Sequence, residues 1–341
     1  MRRFSAVGRR LAIALSFLVA AGHAWQVEAY QTFGVSVGGR VVELKWPHLP
    51  VRYYVTDRSA PGVSAAGFRD AAGRAFATWA SVPTASVSAQ FAGFTSANPG
   101  DDDGQNTLGF MSRPDLQRVL GATNFLIDDT TGELLESDIF FNTAFPWSVA
   151  AGGSAGSFDL ESIILHETGH MFGLGHSALG ETELRSGGGR RVIAADAVLF
   201  PIAFSPGNIT DRTPFADDIA GLSELYPRTG FTSESGSMSG RVTKNGQGVF
   251  GAHVAAFNPR TGNLVGGFTG NGEGRFTIAS LAPGPYIVRV EPVDDADLDS
   301  FFDDASIPKV DLNFRIAYYE GFVVVPAGGG SLTFEVKVVA K

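Results

Sequence analysis

The chain has 341 residues, with 35 acidic against 26 basic side chains and a formal charge of −9. That balance argues against a nucleic-acid binder, while 44% hydrophobic residues and 27 Phe allow sizeable cores. The length suits two domains, and with no cysteine each must hold together without disulfides.

At the N-terminus, Arg2, Arg3, Arg9 and Arg10 precede the apolar run Leu11–Ala21. This is the pattern of a secretory signal, 1–24, with small residues for cleavage after Ala24 or, alternatively, after Ala29. The run is short for a bilayer, and no other segment reads as a membrane span. Cleavage after Ala24 removes four arginines and no acid. The 26 basic residues fall to 22 against 35 acids, for a charge of −13. The expectation is bacterial-type export of a secreted protein with no membrane attachment after cleavage. Residues 25–39 form a short segment, too short for a folded propeptide.

Residues 40–228 read as α/β. Val51, Tyr53 and Val55 alternate as a strand does. Phe68, Ala72, Ala75, Phe76 and Trp79 make a stripe of helical period. Strands are expected at Ala122–Ile127 and Asp138–Phe141. Two acidic clusters, Asp101-Asp102-Asp103-Gly104 and Asp128-Asp129, are candidate Ca²⁺ ligands, though clustered loop acids are commonly just solvated. A helix follows, with Ser157 as its expected N-cap and Asp159 and Glu161 in its first turn. Leu160, Ile164 and Met171 give it a buried stripe.

This helix carries His166-Glu167-Thr168-Gly169-His170, and then Gly173 and His176. The chain has six histidines, and three of them fall within these eleven residues. Positions i and i+4 share a helix face, so two imidazoles can reach one Zn²⁺. Gly173 suits the left-handed backbone that ends a helix and lets His176 turn back. Three protein ligands leave a coordination position open, as in catalytic zinc sites. Glu167, beside the first ligand, is placed to take a proton from a water activated by the metal.

HExxHxxGxxH is the signature of metzincin metallopeptidases, and the flanking residues resemble the matrixin branch. His176-Ser177 ends the motif as matrixins do. Ala197-Val198-Leu199-Phe200-Pro201 resembles their turn beneath the zinc, with Leu199 where the family has Met. Asp217-Asp218-Ile219-Ala220-Gly221-Leu222 with Leu225-Tyr226 resembles their last helix, and Trp46 with Val51–Thr56 their first strand. The resemblance covers about residues 40–228. It implies one catalytic zinc on His166, His170 and His176, Glu167 as the catalytic base, and no tyrosine ligand, since Pro201 stands two residues after Leu199. A second, structural zinc is not expected, because outside the motif only His23, His48 and His253 remain. The cysteine-based latency of animal matrixins is likewise excluded. The resemblance also implies a substrate paired with an edge strand, for which Asp138–Phe141 is the candidate. Between His176 and Leu199 lie 22 residues. Glu181–Arg191, polar and Gly-rich, reads there as a flexible insertion beside the cleft.

A Ser/Gly-rich linker is expected over 229–239, centred on Thr232–Ser239. Residues 240–341 then alternate between Gly, Pro and Asn turns, the pattern of a small antiparallel β-sandwich. Gly251-Ala252-His253-Val254, Gly274-Arg275-Phe276 and Leu281-Ala282-Pro283-Gly284-Pro285-Tyr286 resemble carboxypeptidase-regulatory-like domains, whose fold is prealbumin-like. Ser331–Val339 would be the last strand. Asp294–Asp304 reads as an exposed acidic loop, again a candidate for calcium or a partner.

The sequence therefore points to a metzincin-type α/β (α+β) zinc peptidase domain followed by an all-β sandwich. The expected activity is a secreted endopeptidase acting on protein or peptide substrates, with the second domain free to bind a surface or matrix partner. Two alternatives stay open: a non-enzymatic extracellular binding protein on a degenerate scaffold, and a hydrolase of cell-wall peptides.

Overall fold

The computed structural model describes residues 10–14, 32–38, 40–128, 130–186, 188–328 and 330–341. The expected leader lies outside the described residues except for Arg10–Ala14. Among the described residues no helix is long and apolar enough to cross a membrane.

The first domain is built on one six-stranded sheet. Its strands are β1 (Arg10–Ala14), β4 (Val51–Thr56), β5 (Ala89–Thr95), β6 (Asn106–Met111), β7 (Gly121–Asp128) and β8 (Leu134–Asn142). A separate hairpin, β2 (Gly34–Val37) and β3 (Arg40–Glu43), precedes β4. The sheet order is β1-β7-β8-β6-β4-β5. β5, β4, β6 and β8 run parallel, β7 pairs antiparallel with β8, and β1 pairs antiparallel with β7. The sequence candidate for the substrate edge, Asp138–Phe141, is thus misplaced: it lies inside the sheet, paired on both sides. Ile139, Phe140 and Phe141 are buried because both faces of a central strand are covered. β7 comes next to the rim, and its outer edge at Asn124–Asp128 carries β1, Arg10–Ala14, the outermost strand.

Helix α1 (Ala65–Ala80) begins where the Ser64 hydroxyl accepts the Gly67 N–H at 3.1 Å. The expected stripe is its buried face, with Phe68, Ala72 and Trp79 at 0% exposure. Each large apolar side chain buried this way contributes about 1.5–3 kcal/mol. Helix α2 (Leu160–Met171) packs on α1, and the Trp79 indole N–H donates to the Leu165 carbonyl at 3.0 Å. Its N-cap is Asp159, not Ser157: the carboxylate accepts the Ser162 N–H at 2.9 Å. A carboxylate suits the position because it also receives Arg212, at 2.8 Å, from the loop that leads to the last helix of the domain. Gly173, with φ +99°, turns the chain out of α2, and a Cβ there would fall 2.0 Å from the Leu44 carbonyl oxygen.

The stretch Glu181–Arg191 is not a flexible insertion. It lies within a hairpin, β9 (Gly180–Leu184) and β10 (Arg190–Ala195), with Gly187 outside the described residues. Helix α3 (Ala216–Leu225) closes the domain. The expected linker is largely structured as well. Phe231–Glu234 is a helical turn, and Gly236–Ser239 already belongs to the next strand, β11 (Gly236–Lys244).

The second domain is a two-sheet β structure. β11 pairs antiparallel with β14 (Arg275–Leu281) and parallel with β17 (Ser331–Val338), so the sandwich is not wholly antiparallel. The facing sheet holds β12 (His253–Phe257), β13 (Leu264–Phe268), β15 (Gly284–Glu291) and β16 (Val323–Val325). Its core includes Met238, Val254, Ile278, Val288 and Phe314. Ala220 of α3 joins this core, and Leu179 and Ala197 pack with Ala255. The two domains therefore share buried apolar surface.

Candidate metal centre

His166 and His170 come from successive turns of α2, and His176 follows the Gly173 turn. One nitrogen of each lies within 4.8 Å of the others. Among the described residues, this is the only group of three or more His, Cys, Asp or Glu close enough to hold a metal ion. The acidic clusters Asp101–Asp103, Asp128 (Asp129 lies outside the described residues) and Asp294–Asp304 form no such group among the described residues, so the structure gives the calcium expectation no support. Burial pushes all three imidazoles toward the neutral form, His166 down to about 3, His176 to about 4, and His170 well below its ordinary value.

Each ring is oriented through Nδ1. His166 meets the Val198 carbonyl at 2.7 Å, His170 the Leu174 carbonyl at 2.7 Å, and His176 the Ser300 carbonyl at 2.8 Å. A carbonyl only accepts, so each Nδ1 carries the proton and each Nε2 presents a lone pair. The Nε2 atoms of His166 and His170 stand 3.0 Å apart. Two acceptors facing each other at that distance repel unless a cation lies beside both. The residues present therefore fit a metal ion such as zinc, held through Nε2.

Glu167 is 5% exposed, and burial pushes its carboxyl up to about 8. The Thr123 hydroxyl lies 2.8 Å from its Oε2 and 2.9 Å from its backbone oxygen. Thr123 belongs to β7, so this strand itself holds the carboxylate. Gly121 permits the approach: a Cβ there would lie 3.1 Å from Glu167 Oε1.

Beneath α2, the turn Ala197–Phe200 is buried. Asp218 ties it to α3 by accepting the N–H groups of Val198 at 2.8 Å, Leu199 at 3.1 Å and Phe215 at 2.8 Å. Burial pushes Asp218 up to about 6, against those bonds. Leu199, 2% exposed, sits under Gly169, where a Cβ would meet its Cδ2 at 2.9 Å. A branched apolar side chain therefore fills the place of the family's methionine without a gap.

Residues 45–183 match the family model for Matrixin, and residues 237–294 match that for the carboxypeptidase regulatory-like domain. The chain carries a matrixin domain. A β-rich carboxypeptidase regulatory-like domain follows it, in the layout expected from the sequence. Among solved structures, one similar chain is the Bacillus anthracis TIE protein, at 14% identity and a TM-score of 0.21. The match covers 31% of this chain and 17% of that one. No curated protein matches.

The matrixin domain brings together all three expected histidines, with Glu167 on the same helix. His48 is exposed, and His253 is buried in the second domain against Glu291 at 3.0 Å. Three contributors were not singled out by sequence. Thr123 and Gly121 lie more than 40 residues upstream of Glu167, and only sheet pairing brings them to it. Ser300 lies 124 residues downstream of His176, in the segment expected to be an exposed acidic loop. No local pattern marks a backbone carbonyl as a partner.

Proposed function

We propose that the protein is a secreted zinc-dependent endopeptidase of the metzincin type, with Glu167 as its catalytic base and His166, His170 and His176 as the metal ligands. The observation that carries this reading is the convergence of three Nδ1-anchored imidazoles on one point, with a buried carboxylate beside the first ligand.

Zinc at that point supplies Lewis acidity toward the peptide carbonyl and the attacking water. Glu167 accepts a proton from the water and returns it to the leaving amine. Burial favours the protonated acid and a nearby dication favours the carboxylate, so the two oppose each other. Thr123 holds the carboxylate in place during both transfers. The N–H and C=O groups along the outer edge of β7 align an extended peptide by strand pairing. The antiparallel pairing of Arg10–Ala14 on that edge supports this, because it is the geometry a peptide would take there. Removal of the leader would free the edge for substrate. The Arg212–Asp159 ion pair anchors the loop after Leu199 to α2, giving the floor of the cleft a fixed wall.

Cleavage of casein or gelatin tests the reading. Purified protein should hydrolyse them, should stop when zinc is chelated, and should resume when zinc is restored. Zinc-loaded protein that leaves both substrates intact overturns the reading.

A further inference from the structure

We infer that the carboxypeptidase regulatory-like domain completes the metal centre: its Asp294–Asp304 loop positions the third histidine and latches onto the hairpin inserted after it. This inference rests on the zinc reading above. The decisive contact is the Ser300 carbonyl, which accepts the proton of His176 Nδ1 at 2.8 Å. His166 and His170 take the equivalent support from Val198 and Leu174, both inside the matrixin domain. Only the third ligand is oriented from outside it.

That carbonyl is held firmly. The Ser300 N–H donates to the Asp297 carbonyl at 2.9 Å, and the Phe301 N–H to that of Leu298 at 3.0 Å. Phe301 and Phe302 are buried with Phe268, and Ala178 and Ile202 of the matrixin domain pack against the same cluster. Two acids then clasp the inserted hairpin. Asp295 accepts the Thr182 N–H at 2.7 Å, and its backbone oxygen accepts the Thr182 hydroxyl at 2.7 Å. Asp297 lies 3.8 Å from Arg190 and 3.4 Å from Arg118, the latter in the segment leading into β7. The hairpin, the acidic loop and the segment leading into β7 thus meet at the loop that orients the third ligand. An orienting partner of this kind fixes the tautomer of a ligating imidazole and keeps its free nitrogen aimed at the metal. Ser300 acts through His176, so the loop is a positioning element and not a catalytic one.

The test uses the full chain with Asp295→Ala and Asp297→Ala combined, which removes the carboxylate contacts to Thr182, Arg190 and Arg118 without touching a ligand. Zinc affinity is read by competition with a chelator. The visible spectrum of the Co²⁺-substituted protein reports ligand geometry, and the melting temperature of metal-free protein reports packing. Zinc should bind about 10- to 100-fold more weakly, with an altered cobalt spectrum. A folded double variant that holds zinc as tightly as the parent, with the same cobalt spectrum, overturns the inference. If that variant does not fold, Thr182→Val and Arg190→Gln remove the hydroxyl bond and the ion pair from the hairpin side and are read by the same criteria. Failure here is distinct from failure of the proposed function. Parent protein that binds zinc but cleaves nothing overturns the activity and leaves the positioning role. A latch variant with unchanged zinc binding does the reverse.

Discussion

His166 and His170 contrast with His176. The first two stand one helical turn apart on α2, and their supporting carbonyls lie within 32 and 4 residues. The third stands past a glycine turn and takes its support from 124 residues away, in another domain. A metal centre can therefore have a local half, legible as a motif, and a half that exists only after two domains dock. Such a centre can bind well only in the assembled chain, which couples metal affinity to the domain interface.

Substitutions can break or sharpen this contrast. The largest expected effect is on the local half. Glu167→Gln should keep zinc and lose peptidase activity by about 10²- to 10⁴-fold, the range for removing a general base. Elemental analysis paired with a cleavage assay checks both parts. His170→Ala should instead lose the metal, seen as absent zinc after dialysis, because two ligands remain where three converged. Asp218→Ala probes the floor of the site. It leaves the N–H groups of Val198, Leu199 and Phe215 without their acceptor, and denaturant unfolding should show a loss of about 3 kcal/mol.

The interface half responds to pH. Asp217 in α3 accepts the Gly266 N–H of the second domain at 2.8 Å, and burial pushes its carboxyl from 3.8 up to about 7. Between about pH 4 and 7 the native chain then binds more protons at this site than the unfolded chain does. The contribution of Asp217 to stability is complete below pH 4 and falls as pH rises toward 7. Asp217→Asn removes the titration. Its melting temperature relative to the parent should therefore rise from pH 4 to pH 7, and a constant difference would refute the assignment. The smallest effect is expected at Leu199→Met, a swap of similar volume that should change stability by less than about 1.5 kcal/mol. A larger loss would mean that the floor is specifically shaped for leucine.

Legibility followed the range of the interactions. The stripe Phe68–Trp79, the strand Val51–Thr56 and the motif helix were readable because each obeys a period set by its own backbone. Ser157 was the wrong cap because Asp159 gains Arg212, a partner 53 residues away. Asp138–Phe141 was the wrong edge because order within a sheet depends on pairing partners and not on the pattern within a strand. Glu181–Arg191 looked flexible by composition, yet its ends pair as β9 and β10 and its face meets Asp295.

By itself, the sequence determined the candidate ligand set, the candidate base, the absence of disulfides and the succession of two domains, since spacing and composition are covalent facts that folding does not alter. Tertiary structure alone decided that β7 lies outside β8 in the sheet, that Thr123 holds Glu167, and that Ser300 orients His176. Those contacts join backbone and side-chain groups from distant parts of the chain, and packing, not periodicity, selects them.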